Sequence, residues 1–434
     1  MDASTTHTDV VVLTSAAALA AMYFRGLKHV QNSSISLILI FAIAFSVVGF
    51  FTLPFDSTDV FFYMATGWAQ AHYQSNPYST SLRETGAVGD PMVYNEWMQR
   101  SRNPWLDLPL PYGFLFALIG RAIAWLGQGN FWTTLALFKL LNLMMHIGVA
   151  YLLWKASPLV PDRNVKTVLY LYTWNPLVVL EYLANVHNDI LIAFFVVLAA
   201  YALVSGRSFW IIPTLTAAAL IKYVTVILVP FAFIFVVRQK GLAQAIWSVV
   251  LAGVLVAVTA IPYFGQMSAF KYRLIAAQLS ESTGSLHSFL FYSYRAIVGL
   301  LPIFGSLSTF SAVIQTALWL LVAAFFVHQL YATWSDSSLK QETVIQIWMS
   351  ILFAVIVVGS SKFWAWYLGM LLPLALLRIG KSRIAYIILL MSCTHMLSFG
   401  SFRTKAIGYV LVATIIPILY GMNRQPRMAR IQGD

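Results

Sequence analysis

The sequence predicts an all-α polytopic membrane protein, and three observations carry that prediction. Of 434 residues, 60% are hydrophobic and 10% charged, with a mean hydropathy of +0.77. Soluble domains run at about 45–50% apolar and about 25% charged, and a soluble fold of this length could not hide the excess. The apolar residues also fall in runs of the length a bilayer-crossing helix needs, about 20 residues with a range of about 17–25. Finally, the net charge of +12 comes from basic residues set between those runs. That is the pattern of a positive-inside membrane protein rather than of a nucleic-acid binder, so a lipid bilayer is the expected partner and no nucleic acid is.

In chain order the candidate spans are 9–25, 33–53, 131–154, 166–183, 190–205, 209–237, 243–262, 308–331, 343–359, 363–379, 384–399 and 402–421. Segments 112–127 and 286–304 are apolar but short or interrupted. No soluble domain, linker, repeat or low-complexity tract interrupts them, so residues 1–434 read as a single integral membrane domain. Asp2 and Asp9 stand where a cleavable signal carries basic residues, and no cleaved leader is expected. The single cysteine, Cys393, cannot form an internal disulfide, and no Cys/His spacing fits zinc or an iron–sulfur cluster.

Basic clusters set the orientation. Arg25/Lys28, Lys155/Arg163/Lys166, Arg238/Lys240, Arg378/Lys381/Arg383 and Arg424/Arg427/Arg430 read as cytoplasmic. The 54–110 loop carries six acidic residues (Asp56, Asp59, Glu84, Asp90, Glu96, Asp107) against three basic ones (Arg83, Arg100, Arg102), and reads as the first outer-face loop. A second outer-face loop or re-entrant region is expected at 263–307. Parity then requires 112–127 to start and end outside, as a re-entrant or interfacial helix lining a cavity. Segment 209–237 lies between Arg207 and Arg238. Two short helices hinged near Lys222 are favoured there over one tilted span.

Polar groups that a bilayer should have excluded mark candidate function. Asp59 and Tyr63 are four apart and share a helix face. That helix is expected at the membrane surface with Phe61, Phe62, Met64 and Trp68 partly in lipid, and the plain alternative is an interfacial helix with solvated acids. Asp56 reads as a helix-start residue, an N-cap, or a secondary contact. Glu181, His187, Asn188 and Asp189 cluster between two apolar runs. Capping accounts in part for Asn188 or Asp189, but Glu181 inside a span needs a partner or a watery cavity. Lys222 and Tyr223 interrupt an apolar run, and Lys222 calls for a carboxylate or phosphate partner unless it snorkels. Lys362 sits beside Phe363, Trp364, Trp366 and Tyr367, which an aromatic belt with a snorkelling lysine also explains. Lys271 and Arg273 lie in the second outer region with Glu281 and His287, and arginine's fork suits phosphate oxygens. Together these supply a carboxylate to take a proton from a hydroxyl, cations to hold a phosphate, and aromatic faces for sugar rings.

The stretch "DVFFYMATGWAQAHYQSNPY" carries Asp59, Tyr63, Gly67 and Asn76-Pro77-Tyr78. It resembles the first outer loop of GT-C glycosyltransferases, most closely the bacterial polyprenol-phosphate-mannose-dependent mannosyltransferases. "LPYGFLF", "WNPLVVLEYLANVHND", "IKYVTVILVP" and "FWAWYLGMLLP" also have counterparts, in matching order over residues 50–375; Phe114 replaces the family's second proline in the Pro-Tyr-Gly-Pro motif. The resemblance implies a GT-C-like bundle of about 11–14 transmembrane helices in a multi-pass protein of the bacterial plasma membrane, active on the outer face. It implies inverting transfer of a hexose, mannose first, from a polyprenyl-phosphate donor to a glycolipid, glycan or protein acceptor. Asp59 becomes the base. Lys222, Arg273, His187 and Lys362 become phosphate contacts. Asp56, Tyr63, Tyr78, Glu181, Asn188, Asp189, Tyr223, Trp364, Trp366 and Tyr367 become sugar or acceptor contacts. No cofactor is expected, and a divalent metal is compatible with the mechanism but not required by it. A flippase or transporter of lipid-linked sugars would show internal repeats or charges along several spans. A polymerase or ligase using polyprenyl-diphosphate glycans would carry more outer-loop arginines.

Overall fold

The computed structural model describes residues 3–87, 89–94, 104–264, 284–298, 306–398 and 406–423. Among these the architecture is helical throughout, with a single isolated bridge between Gly284 and Lys362. Five helical stretches are long and apolar enough to cross a membrane: Phe131–Leu159, Tyr223–Lys240, Leu242–Tyr263, Leu307–Ser335 and Gln341–Gly359. Seven shorter apolar helices accompany them.

The early elements are α1 (Ala3–Leu27), α2 (Ile35–Phe51), α3 (Asp59–His72), α4 (Phe114–Gly127) and α5 (Phe131–Ala156). Side-chain caps fix several starts. Ser34 accepts the Leu37 N–H ahead of α2, and Asn130 accepts the Thr133 N–H ahead of α5. Next comes α6 (Val165–Thr173), which stops and restarts at Trp174-Asn175-Pro176. Asn175 accepts the N–H groups of Leu177 and Val178, while its own amide donates to Ser392. The restarted helix widens into a π-type turn over Val179–Ala184, closed by the Asn185 N–H on the Leu180 carbonyl at 2.9 Å.

Beyond it lie α7 (Asp189–Val204), α8 (Ile211–Ala219), α9 (Val229–Lys240) and α10 (Leu242–Ala260). The later elements are α11 (Leu286–Val298), α12 (Leu307–Ser335), α13 (Gln341–Phe353), α14 (Leu368–Arg378) and α15 (Arg383–Thr394), with a final helical stretch through Ile416–Asn423. The apolar window of α12 is only 11% buried against protein, whereas that of Gln341–Gly359 is 67% buried, so α12 is peripheral and α13 central. α7 and α14 are apolar and buried on nearly every side and form the middle of the bundle. A second π-type turn, Ala354–Gly359, ends α13 just before the Lys362–Tyr367 stretch.

The break expected near Lys222 is present. α8 ends at Ala219, and a 3-10 turn over Tyr223–Leu228 leads into α9. The carbonyls freed there are not wasted. Gly113 N–H donates to the Ile221 carbonyl, and Leu115 and Phe116 N–H donate to the Leu220 carbonyl. The unpaired N–H groups at the start of α4 thus satisfy the unpaired carbonyls at the break. This close approach requires glycine, since a Cβ on Gly113 would lie 2.2 Å from the Leu220 oxygen. Gly67 plays the same part between α3 and α4, where a Cβ would meet the Gly120 carbonyl oxygen at 2.3 Å.

Two expectations are corrected. α3 does not rest its aromatic face in lipid, because Phe61, Phe62 and Met64 are buried within the protein against α4 and α5. Trp68 is half-buried, with its indole N–H donated to Asp90 at 2.8 Å. Asp56 is not a helix cap either. α3 begins at Asp59 behind Thr58, and Asp56 lies three residues upstream.

Candidate active site

Asp59 opens α3 where the chain emerges from α2. Its carboxylate lies 3.5 Å from Nδ1 of His187, and the opposite ring nitrogen, Nε2, lies 3.3 Å from Glu181 Oε2. The three side chains form a carboxylate–imidazole–carboxylate line. Both separations are ion-pair distances, longer than a well-formed hydrogen bond. Exposure is graded along the line: the Asp59 side chain is 15% exposed, while His187 and Glu181 are fully buried. The line therefore has one wet end, and that end is Asp59.

The backbone explains how this arises. His187 belongs to the loop between the π-type turn and α7, where Val186 holds a positive φ of 63°. A β-branched residue in the left-handed region is strained. Asn185, beside it, ties the loop to the other strand of the site. Its side-chain Oδ1 accepts the N–H groups of Phe55 (3.0 Å) and Asp56 (3.2 Å), and its side-chain Nδ2 donates to Glu181 Oε2 at 3.1 Å. Trp366 stacks on the His187 ring, with centroids 3.8 Å apart, and Trp364 stacks on Trp366. An imidazolium against an indole face gains cation–π attraction.

Asp59 and His187 both lie outside the spanning segments. Burial by itself would raise the Asp59 carboxyl. The close imidazole of His187 with its charge, the Lys222 charge and the Ser57 hydroxyl outweigh it and hold Asp59 below the usual carboxylate range. For His187 burial acts downward, but Asp59 and Glu181 raise it from 6.5 to about 9. At neutral pH the pair is carboxylate and imidazolium.

Lys222 finds a carboxylate partner, Asp189, whose oxygens lie 3.1 and 3.4 Å from Nζ. The ammonium also sits over the Tyr367 ring at 4.0 Å, and the lysine side chain as a whole is 21% exposed. Asp189 occupies the first turn of α7. Capping is expected as a partial account of Asn188 or Asp189; Asn188 stands at the N-cap position, but its side chain makes no capping bond. It is 2% exposed, and neither its amide nitrogen nor its oxygen has a hydrogen-bond partner among the described residues. Tyr63 approaches the Tyr112 hydroxyl at 3.4 Å, and the Tyr112 carbonyl accepts the hydroxyls of Tyr78 (3.0 Å) and Tyr223 (3.2 Å). Tyr78 is wholly buried, against Phe114 and Tyr263. Asp56 meets the site through its backbone N–H, and Lys362 through its backbone bridge to Gly284. Arg273, Lys271 and Glu281 lie outside the described residues. Among the described residues, no group of three or more His, Cys, Asp and Glu side chains is arranged to hold a metal ion.

Sequence reasoning missed Asn185, Tyr112, Lys139 and Asn142. Lys139 and Asn142, with His146, occupy positions i, i+3 and i+7 of α5, one buried polar stripe in an apolar span. That spacing was the available signal.

Fold and site together define an all-α polytopic membrane protein with an acid–imidazole–acid line between α3 and the loop ahead of α7. Residues 2–238, which include the whole of that line and Lys222, match the family described as alpha-(1->6)-mannopyranosyltransferase, N-terminal domain, and the chain belongs to that family. It is 28% identical over 182 residues to alpha-(1->6)-mannopyranosyltransferase A of Mycobacterium tuberculosis, covering 42% of this chain and 33% of that protein. A further alpha-(1->6)-mannopyranosyltransferase of the same organism is 35% identical over 89 residues, 20% of this chain and 15% of that one. The matched regions thus span a third or less of these relatives. No solved structure matches.

Proposed function

We propose that this chain is a GT-C-type glycosyltransferase that moves mannose from a polyprenyl-phosphate donor to a hydroxyl of a glycan, glycolipid or protein, on the outer face of a bacterial plasma membrane. The observation that carries the proposal is the graded line from Asp59 through His187 to Glu181. A general base must be ionised, reachable from outside and held in place. Asp59 is partly exposed, and the imidazolium behind it keeps it ionised. The names of the relatives favour mannose as the sugar and a primary 6-hydroxyl as the attacking group.

In the proposed step the acceptor hydroxyl gives its proton to Asp59, and its oxygen attacks the anomeric carbon. The bond from that carbon to the phosphate oxygen breaks, and polyprenyl phosphate leaves with the electron pair. One displacement inverts the centre, so an α product requires a β-configured donor. Lys222, whose charge acts on Asp59, is the first candidate for the phosphate, with Arg273 and Lys362 as further cations. His187 serves by balancing Asp59 rather than by touching phosphate. Asn188, Asp189, Tyr223, Trp364 and Tyr367 are the proposed sugar contacts, with Asp56 beside the acceptor. Tyr63, Tyr78, Glu181 and Trp366, all buried, support the site from behind. In this reading 54–110 and 263–307 are the two outer-face regions of one membrane domain, the first supplying the base.

The test uses the purified full chain in lipid nanodiscs. It is offered radiolabelled polyprenyl-phosphate mannose, glucose and galactose, and GDP-mannose, each with an alkyl mannoside acceptor. Label is expected to move from polyprenyl-phosphate mannose and not from GDP-mannose. Direct use of GDP-mannose refutes the proposal, as does inertness toward all three lipid-linked sugars.

A further inference from the structure

Lys139 lies eight residues into α5, about 12 Å along the helix axis, in an apolar span. It is 4% exposed, and no carboxylate among the described residues pairs with it. Its ammonium instead contacts four backbone carbonyls: Gly49 (3.3 Å), Thr52 (2.7 Å), Leu183 (2.8 Å) and Ala184 (3.1 Å). The first two belong to the end of α2, the segment that leads to Asp59. The other two belong to the end of the π-type turn that leads to His187. A cation is favoured at a helix C-terminus, where unpaired carbonyls gather, and here one cation serves two such ends. One turn further along, Asn142 donates its amide to the Tyr182 carbonyl (2.8 Å) and the His187 carbonyl (3.0 Å). These bonds bracket Val186, whose strained φ persists only if its surroundings fix it.

We propose that Lys139 and Asn142 are positioning residues that hold the α2 exit and the strained 185–188 loop in register, and so set the separation of Asp59 and His187. Neither touches the reacting atoms. Their bonds all go to the backbone, which is why no motif built on catalytic side chains would reveal them. The inference rests on Asp59 being the base.

The experiment compares Lys139→Met, Asn142→Leu and the double variant with wild type in nanodiscs. It measures kcat and KM for polyprenyl-phosphate mannose, the folded fraction, and the melting temperature. Loss of register is expected to lower kcat by about 10- to 100-fold per single variant. KM is expected to stay within about twofold, because the lost interaction matters only in the transition state. The double variant should lose less than the product of the two, since both act on one loop. Wild-type kcat per folded molecule in either variant overturns the proposal, even if melting temperature falls. Failure to recover folded protein from both also overturns it, because the residues would then hold the bundle and not the site. If Lys139→Met alone fails to fold, Asn142→Leu decides. Should Asp59→Asn retain transfer, it is the base assignment that falls. Should Asp59→Asn be inactive while these variants behave as wild type, only the positioning role falls.

Discussion

Replacing Asp59 with asparagine removes the proposed base and one of the two carboxyl groups beside His187, with little change of shape. The interval between 6.5 and about 9 for His187 corresponds to about 3 kcal/mol in favour of the imidazolium. Asp59 and Glu181 produce it jointly against the cost of burial, so the amide weakens the preference for the imidazolium. Loss of a general base costs about 10²- to 10⁴-fold in rate. The variant should therefore fold and bind donor but transfer at a small fraction of the wild-type rate. Its stability should also respond differently to pH. His187 holds its proton more tightly in the folded chain, so its pairing contributes fully below about 6.5 and fades as pH rises through about 9. Asp59 is displaced the other way: its contribution is present above 3.8 and fades as pH falls through its lowered value. In Asp59→Asn the alkaline fading should be smaller and complete at a lower pH, and a series of melting curves from pH 6 to pH 10 reads it. Transfer within about tenfold of wild type refutes the assignment of the base. Inactivity of Asp56→Asn beside an active Asp59→Asn would move the base three residues upstream.

Glu181→Gln should leave Asp59 in place but lower the alkaline limb of kcat/KM from about 9 toward the ordinary histidine value, because one of the two groups raising His187 is gone; an unmoved limb counts against the line. Asn188→Ala should raise KM for donor or acceptor severalfold without shifting the melting temperature, since the side chain has no hydrogen-bond partner among the described residues; a large fall in melting temperature would show that it is structural. Gly67→Ala forces a Cβ to within 2.3 Å of the Gly120 carbonyl oxygen and should cost about 1–3 kcal/mol as α3 and α4 separate. Thermal melts check this, and an unchanged midpoint would contradict the packing of α3 on α4.

Much of the architecture was legible because apolar run length is a coarse, strong signal. The break at Lys222 could be read from a charged residue that no straight span would keep, and its polar partner could be anticipated, though not that it would be Asp189. Asp59, Glu181 and His187 could each be picked out, because acids and histidine are costly at a bilayer edge. Their alignment could not, since it depends on a π-type turn and on a positive φ at Val186, and neither leaves a mark in residue type. The face of α3 was misjudged for a related reason. Its aromatics suit lipid and protein interior equally, and only the Gly67–Gly120 approach shows that α4 covers them. Lys139 escaped notice because its partners are carbonyl oxygens, which every sequence has everywhere.

The π-type turn at Val179–Ala184 makes the chain sensitive to length as well as to residue identity. It accommodates one residue more per turn than an α-helix. Deleting a single apolar residue there would let the segment relax to regular helix, with hydropathy and membrane insertion almost unaltered. The residues after it would keep their bearing, because the wide turn already absorbs one residue; a single insertion would instead turn every later side chain of the segment by about 100° and carry His187 away from Asp59. An insertion–deletion scan of this region should therefore find single insertions well expressed, correctly inserted and inactive at positions where a single deletion or a conservative substitution is tolerated.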